Sequence, residues 1–395
     1  MIPRGKLYIS NKDLFTGIRY CATNYFKPLK TDIPEQNSNV LTCLSVRTGF
    51  DLVLSSLNFP AGSEILVTDI NIPDMFKIIA GHNLTAIPLP VNKQTLNISP
   101  VQLEAAITPA TKAILITHLF GAIMETDEII AIARKHNLIV FEDCAQAYAG
   151  NVYKGNPKSD VIMFSFGLIK TNTSVRGATI DIKNLTLYTN VLSRNEQYDI
   201  QHTSSFLKKI FKVILIKLLT TKTIYTGLYN IVKASGKDFE EVLAGFTRGF
   251  PGDDIFKQIH YRPCQPNIKL LQKKLNNFNQ REIDERILLA NDILTHIPNH
   301  YKIGTLNTKH TYWVLPLETG DPIGLINYLR NNGFDASQKA SSLIKLKSPI
   351  SIYNPNDLKL ENIVYLPAFP SMSKSNRNKL TKLLVNFVPL KLQNH

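Results

Sequence analysis

Between residues 40 and 185 the chain alternates short, β-rich apolar runs with stretches of helical periodicity. The runs predict strands at 64–67, 85–89, 113–117, 139–142, 161–164 and 178–182. Between them the spacing of apolar positions predicts helices at 49–57, 74–82, 100–107 and 126–136. In the last of these, Ile129, Ile130 and Ala133 recur at helical spacing, and Asn137 follows as a C-cap. Strands and helices that alternate through short connections specify a mainly parallel sheet covered by helices. Ligands of such sheets bind beyond the carboxyl ends of the strands.

The rhythm breaks over 186–262. From Thr203 to Lys237 there is no acidic residue, while Lys208, Lys209, Lys212, Lys217, Lys222, Lys233 and Lys237 lie among many apolar side chains. This stretch reads as a basic helical insertion packed on the core with its lysines in water, or as an interfacial helix on anionic lipid. On a helical projection, Lys208, Lys212 and, less well, Lys209 share one side, and Phe211, Ile214, Leu215 and Leu218 line another. Residues 265–296 read as one long amphipathic helix. A small α+β unit follows, with a strand at 312–317 and a helix at 322–331 ended by Asn332-Gly333. The expected domains are 1–262, carrying the insertion at about 203–237, and 263–395.

Composition narrows the class. The 395 residues are 44% hydrophobic and 19% charged, the balance of a globular protein and not of a disordered one. Lys and Arg exceed Asp and Glu by 45 to 31, a net +14, scattered through most of the chain. That excess suits an anionic substrate, and no nucleic-acid partner is expected. Cys21, Cys43, Cys144 and Cys264 form no CxxC pair and no metal-ligand spacing, so neither a metal site nor a structural disulfide is expected and a reduced cytosolic compartment fits. The first residues, MIPRGKLYIS, contain no apolar signal-peptide core, and no apolar run reaches the roughly 20 residues of a membrane span.

The chemistry concentrates in IVFEDCAQAYAG (139–150) and DVIMFSFGLIK (160–170). An apolar strand delivers Glu142 and Asp143 at its carboxyl end, where a carboxylate can hold a proton on a heterocyclic nitrogen. Pyridoxal 5′-phosphate (PLP) needs that proton to act as an electron sink. Gln146 stands where it could hydrogen-bond the ring oxygen, and the Ser165 hydroxyl could meet a phosphate. A desolvated Lys170 could present the neutral amine that condenses with an aldehyde. Each alone has a plain alternative: Asp143 as a helix N-cap, Ser165 as a turn residue, Lys170 as a surface lysine. The signal is their order and spacing.

The run Glu142-Asp143-Cys144-Ala145-Gln146-Ala147, then Phe164-Ser165-Phe166 and Lys170, resembles the DegT/DnrJ/EryC1/StrS sugar aminotransferases, which read ED-x-AQA, FSF and a lysine. ILVTDINIP after Gly62-Ser63-Glu64, ISPVQLEAAITPATKAILITHLFG (98–121) and Ser45-Val46-Arg47 extend the resemblance over residues 40–185; it continues in outline over 263–345. It implies an α/β PLP-dependent transferase of fold type I, with a mainly parallel seven-stranded sheet in the large domain and a smaller α+β domain. It implies Lys170 as the cofactor lysine and proton carrier, Asp143 on the pyridine nitrogen and Gln146 on the ring oxygen. Ser165 and the amides of Val46 and Arg47, at a helix N-terminus, would take the phosphate. His118 would lie near the pocket or be a buried structural histidine. Three positions depart from the family: Ile72 where an aromatic ring or histidine usually stacks on PLP, Val46 where the residue is usually small, and Ser174-Val175-Arg176-Gly177 in place of a glycine-rich turn.

The function implied is amino transfer from glutamate to a keto group of a nucleotide-linked sugar, in cell-surface polysaccharide or related glycan biosynthesis. A homodimer is implied too, in the cytoplasm, with 203–237 able to touch the inner face of the membrane. The alternatives are a catalytically altered PLP-fold protein with a binding or membrane role, and a PLP-dependent sugar dehydratase. Dehydratase relatives replace the lysine, so Lys170 favours transamination.

Overall fold

The computed structural model describes residues 1–26, 39–247, 254–338, 342–347 and 355–387. Its centre is a seven-stranded sheet of β1 (Val40–Cys43), β2 (Glu64–Thr68), β3 (Thr85–Leu89), β4 (Thr111–Thr117), β5 (Ile139–Asp143), β6 (Val161–Ser165) and β7 (Ala178–Ile182), in the order β1-β7-β6-β5-β4-β2-β3. Only β7 runs against the other six. Strands covered on both faces read as continuous apolar runs, which is why the pattern located six of the seven to within two residues. It does not predict β1, four residues long and half-buried in alternation.

The helices are α1 (Asn11–Phe26), α2 (Val46–Leu57), α3 (Pro73–Gly81), α4 (Pro100–Ala106), α5 (Asp127–Lys135), α6 (Leu185–Glu196), α7 (Thr203–Leu219), α8 (Lys222–Ala234), α9 (Phe239–Thr247), α10 (Ile255–Ile259), α11 (Gln265–Asn276), α12 (Arg281–His296), α13 (Pro322–Asn331) and α14 (Lys374–Asn386). Phe50 and Val53 of α2, Ile78 of α3 and Val191 of α6 cover one face of the sheet, against Ile65, Leu115 and Phe141. Leu103 of α4 and Ile129 and Ala133 of α5 cover the other, against Leu66, Ile114 and Val140. The sheet side chains alternate between the two layers with period two, as a pleated strand requires.

The expected helix at 49–57 begins earlier, at Val46, because the Ser45 hydroxyl caps it by accepting from the Thr48 N–H at 3.2 Å. Asn137 lies one residue beyond the C-cap His136 and adopts φ +54°, a left-handed value that asparagine tolerates.

The expected single helix over 265–296 is two. After α11, Asn277 turns its side-chain amide onto the Lys273 carbonyl, and the Asn279 side chain accepts from the Arg281 N–H. Asparagines that hydrogen-bond nearby backbone in this way compete with the helix. The expected strand at 312–317 is corrected as well. Tyr312 has φ +47°, and the strand β8 (Leu315–Glu318) pairs antiparallel with β9 (Ile363–Leu366). With Leu289, Ile293, Leu325, Leu329 and Leu380 these strands form a separate core, which Ile2 joins from the N-terminus.

The basic insertion forms α7, α8 and α9. Helix α7 packs on α1, which the pattern does not predict, and buries Phe206, Ile210, Val213 and Ile216. The projected apolar stripe is corrected here: Phe211, Leu215 and Leu218 are exposed, and only Ile214 of that set packs inward.

Glu142 faces the opposite side of β5 from the Asp143 end. Its carboxylate accepts from His118 Nε2 at 2.9 Å, Ser159 Oγ at 2.7 Å, the Asn156 N–H at 2.8 Å and the Tyr153 hydroxyl. His118 Nδ1 accepts from the Met124 N–H at 3.0 Å, so this network assigns the ring proton to Nε2. His118 is therefore a buried structural residue. Burial alone would raise the Glu142 pKa, but His118, Tyr153 and Ser159 hold it down at about 2. His118→Ala should lower stability by about 1–3 kcal/mol in urea denaturation at neutral pH, because a buried carboxylate loses a donor. Glu142 has a depressed folded pKa, so its contribution is present above the ordinary glutamate range and fades as pH falls toward about 2. The gap between variant and wild type should shrink in the same direction; an equal gap at every pH would refute the assignment.

Candidate active site

The carboxyl ends of β5 and β6 and the start of α2 converge on one cavity of about 190 Å³. Asp143 ends β5, Ser165 ends β6, and Lys170 follows in the next loop. Val46 and Arg47 open α2, and Ile72 is the N-cap of α3. All seven residues singled out from the sequence, Gln146 included, line this cavity.

Asp143 is 4% exposed, and its Oδ1 accepts from the Ala145 N–H at 3.0 Å. Burial pushes its carboxyl pKa up, opposed by that N–H and by the charges of Lys170 and Arg47. The Lys170 Nζ lies 4.3 Å from the centroid of the Trp313 ring. Burial lowers its pKa to about 8; Arg47 adds to the effect and Asp143 opposes it. The loop that carries Lys170 is tied by its own N–H to the Gly167 carbonyl at 3.1 Å, and Trp313 Nε1 donates to the Ile169 carbonyl at 2.9 Å. Gly121 permits the close approach of that tryptophan's backbone: at φ +99° a Cβ would meet the Trp313 nitrogen at 2.4 Å.

Gln146 spends its side-chain oxygen on the Phe120 N–H at 2.9 Å, which leaves its NH₂ group to address a ligand. Arg47 Nε is paired with Asp74 at 2.6 Å. Ile72 packs against the core and contributes an aliphatic wall.

The sequence reading missed four cavity residues. Trp313 stood only in the loosely matching C-terminal stretch. Arg176 was noted as a departure and not as a lining residue. The sequence pattern places Lys209 and Lys212 in solvent or on lipid, yet both reach the cavity from α7, with Val213 beside them. Burial, with Arg176 and Lys212 nearby, lowers the Lys209 pKa to about 8. Burial and Arg47 lower Arg176 to about 10.

The turn after Lys170 places Val175 at φ +75°, a region a β-branched residue rarely enters. Thr173 Oγ1 accepts from the Val175 N–H at 3.0 Å, and the Phe166 N–H bonds the Gly177 carbonyl at 2.8 Å, so the surrounding hydrogen bonds hold the conformation.

These residues fit PLP. A buried carboxylate, a lysine of lowered pKa, a hydroxyl and a helix N-terminus share one enclosure, and the free NH₂ of Gln146 supplies a further donor.

The fold is that of the PLP-dependent transferases of fold type I. The sugar aminotransferase CalS13 from Micromonospora echinospora superposes with a TM-score of 0.62 over 97% of this chain and 99% of its own, at 16% identity. NtdA from Bacillus subtilis, with bound cofactor PMP, gives 0.64 over 95% and 82%, at 17% identity. Residues 35–194 match the DegT/DnrJ/EryC1/StrS aminotransferase family. GDP-perosamine synthase of Caulobacter vibrioides is 35% identical over 150 residues, 36% of this chain and 39% of that protein. L-glutamine:2-deoxy-scyllo-inosose aminotransferase of Micromonospora echinospora is 36% identical over 97 residues, 25% of this chain and 23% of that one. The chain thus aligns with less than two fifths of the length of either relative.

Capture of added PLP by this lysine should follow its neutral form. At pH 8 about half of a lysine with pKa about 8 is neutral, against under about 1% of an ordinary one. The rate of formation of the borohydride-trapped adduct should therefore rise through a midpoint near pH 8. A rate still climbing without inflection above about pH 10 would show an unperturbed lysine.

Proposed function

We propose that this chain is a PLP-dependent aminotransferase that moves an amino group from glutamate to a keto group of a nucleotide-linked sugar, as a homodimer in glycan biosynthesis. One observation carries the proposal: the Lys170 amine and the Asp143 carboxylate open into the same buried cavity, beside Ser165 and the start of α2. The name of one relative, GDP-perosamine synthase, supports a nucleotide-linked sugar, and that of another, L-glutamine:2-deoxy-scyllo-inosose aminotransferase, supports amino transfer.

PLP supplies, when bound, an electron sink for the negative charge that develops on carbon beside the amino nitrogen. The residues do the rest. Asp143 holds a proton on the ring nitrogen; a cation there restores the ionised carboxylate that burial disfavours. Lys170 would hold the cofactor, and its lowered pKa would equip the amine to carry a proton between carbons of the substrate and cofactor. Ser165 and the Val46 and Arg47 amides bind phosphate at the positive end of α2. The Gln146 NH₂ donates to the ring oxygen. Ile72 would offer the ring an aliphatic surface, by dispersion, in place of aromatic stacking. Retention of Lys170 speaks against the dehydratase alternative.

Lys170→Ala should abolish the borohydride-reducible PLP adduct, read by intact mass and peptide mapping. An adduct of wild-type yield on another lysine would overturn the assignment.

A second reading rests on the surface of the insertion. Phe211, Leu215 and Leu218 are 54%, 47% and 53% exposed, with Lys208, Lys222, Lys233 and Lys237 in solvent and no acidic residue among them. No helix among the described residues is long and apolar enough to cross a membrane. This face suits reversible contact with an anionic bilayer, each lysine near the surface adding about 1 kcal/mol. Co-sedimentation with anionic vesicles should appear at low salt and fade at high salt. Equal recovery with neutral vesicles, or none with anionic ones, would refute it.

A further inference from the structure

A second cavity, of about 170 Å³, backs onto the first. Ile169 and Trp313 line both, and Trp313 Nε1 donates to the Ile169 carbonyl at 2.9 Å, so these two residues form the partition. Lys170 lines only the first cavity, with its amine 4.3 Å from the centroid of the tryptophan ring. The rest of the second cavity is built by Ile216 and Leu219 of α7, Leu228 of α8, Leu7 of the N-terminal segment and Phe369 beyond β9. The insertion, which lies outside the segment that matches the family, therefore shapes most of its wall.

The polar groups around this space are engaged with the protein. The Tyr225 hydroxyl and the Arg4 guanidinium both bond Asp335, and the Thr220 hydroxyl donates to the Ile216 carbonyl at 2.9 Å. No acidic side chain lines the cavity, and Lys6, exposed at its edge, donates to the neutral Ser371 hydroxyl at 3.2 Å. Such a space offers water few partners and a hydrocarbon many dispersion contacts; apolar cavities of roughly 150 Å³ take benzene-sized guests. The apolar surface also continues outward: Leu215 and Leu218, next to Ile216 and Leu219 on α7, are exposed. We propose that the second cavity binds the hydrocarbon chain of an anionic amphiphile, with the chain against Trp313 and the head group at Lys6. The lysine's own methylene stem suits that boundary between chain and charge. This site is distinct from the cofactor cavity and does not rest on the aminotransferase reading.

Trp313 is the only tryptophan of the chain, so its emission reports on the partition. Decyl phosphate, kept below its micellar concentration, is titrated calorimetrically into cofactor-free and PLP-loaded protein, and tryptophan emission is followed in the cofactor-free form. Saturable binding of equal affinity in both forms, with a change in Trp313 emission, is the expected result. Leu219→Phe/Leu228→Phe, which fills the cavity, should weaken binding at least about tenfold. Leu228→Gln, at a half-buried position that tolerates a polar group, should show part of that loss. Lys6→Gln should weaken binding less and flatten its salt dependence. Leu185→Gln, exposed on α6 and outside the cavity, should leave the affinity unchanged. Circular dichroism checks that the variants are folded.

No saturable binding, or equal affinity in the filled variant and the wild type, would overturn the site. Competition by inorganic phosphate alone, or loss of binding on loading with PLP, would put the amphiphile in the cofactor cavity and overturn it as well. A protein that binds decyl phosphate but traps no PLP at Lys170 would keep this site and lose the aminotransferase reading. The ligand's source is read separately, by co-sedimentation with anionic vesicles. Sedimentation reduced both by Leu219→Phe/Leu228→Phe and by added decyl phosphate would assign the chain to a bilayer lipid. Sedimentation indifferent to both would assign it to a soluble amphiphile, and either result keeps the site.

Discussion

A buried carboxylate beside a buried amine is the constraint around which this structure is arranged. Asp143 is almost fully enclosed, and enclosure disfavours its charge. Lys170 shares the cavity, and enclosure disfavours its charge too. Each ion is tolerable mainly because the other is near. A cationic ring nitrogen at Asp143 and a covalent bond at Lys170 would relieve both, so the cofactor-free site is poised for one kind of ligand. The parallel sheet makes the juxtaposition: adjacent strands β5 and β6 run in the same direction and release both residues on one edge.

That edge is held rigid from behind. Glu142, the residue before Asp143, is fixed by donors from two loops, which pins the end of β5. Ser45 caps α2, which sets where its first amides point. On the far side, Val175 sits in a backbone conformation that costs a β-branched residue about 1–3 kcal/mol and persists because the hydrogen bonds around it leave no alternative. Its neighbour Arg176 is one of the cavity cations. The departure from a glycine-rich turn visible in the sequence thus has a structural counterpart: strain in the turn that carries a positive charge into the cavity wall.

The sheet was legible because its strands are buried on both faces, so apolar runs and strands coincide, as at 85–89 and 178–182. The site was legible because Asp143, Gln146, Ser165 and Lys170 follow the strand ends closely in sequence. The wall built by α7 was not. Most positions of 206–219 are apolar, so several stripes satisfy helical periodicity, and only packing against α1 selects Phe206, Ile210 and Val213 as the inward one. That choice turns Lys209 and Lys212 toward the cavity and Phe211 and Leu215 toward solvent. Helix α1 itself has a weak apolar pattern, so the partner that decides the matter was invisible too. Trp313 was hidden by a different cause: a positive φ at Tyr312 delays the strand and frees the tryptophan to enter the site.

The insertion is anchored at two ends, which gives its cavity-facing lysines a defined place. Helix α7 rests on α1 and α11. Beyond it, Tyr225 of α8 and Arg330 both bond Asp335, which is fully buried and also bonded by Arg4. Arg330 reaches Glu240 of α9 at 2.7 Å. A buried carboxylate with two guanidinium partners and a phenol is costly to break, because any partner removed leaves charge uncompensated. The hub therefore couples the N-terminal residues, the insertion and the C-terminal core, and a displacement of that core is transmitted to α8 and from there toward α7. The groups proposed for chemistry sit on the sheet edge, which this hub does not touch. Lys209 and Lys212 sit on the insertion, so the cavity wall they form can vary in sequence independently of the sheet edge it faces.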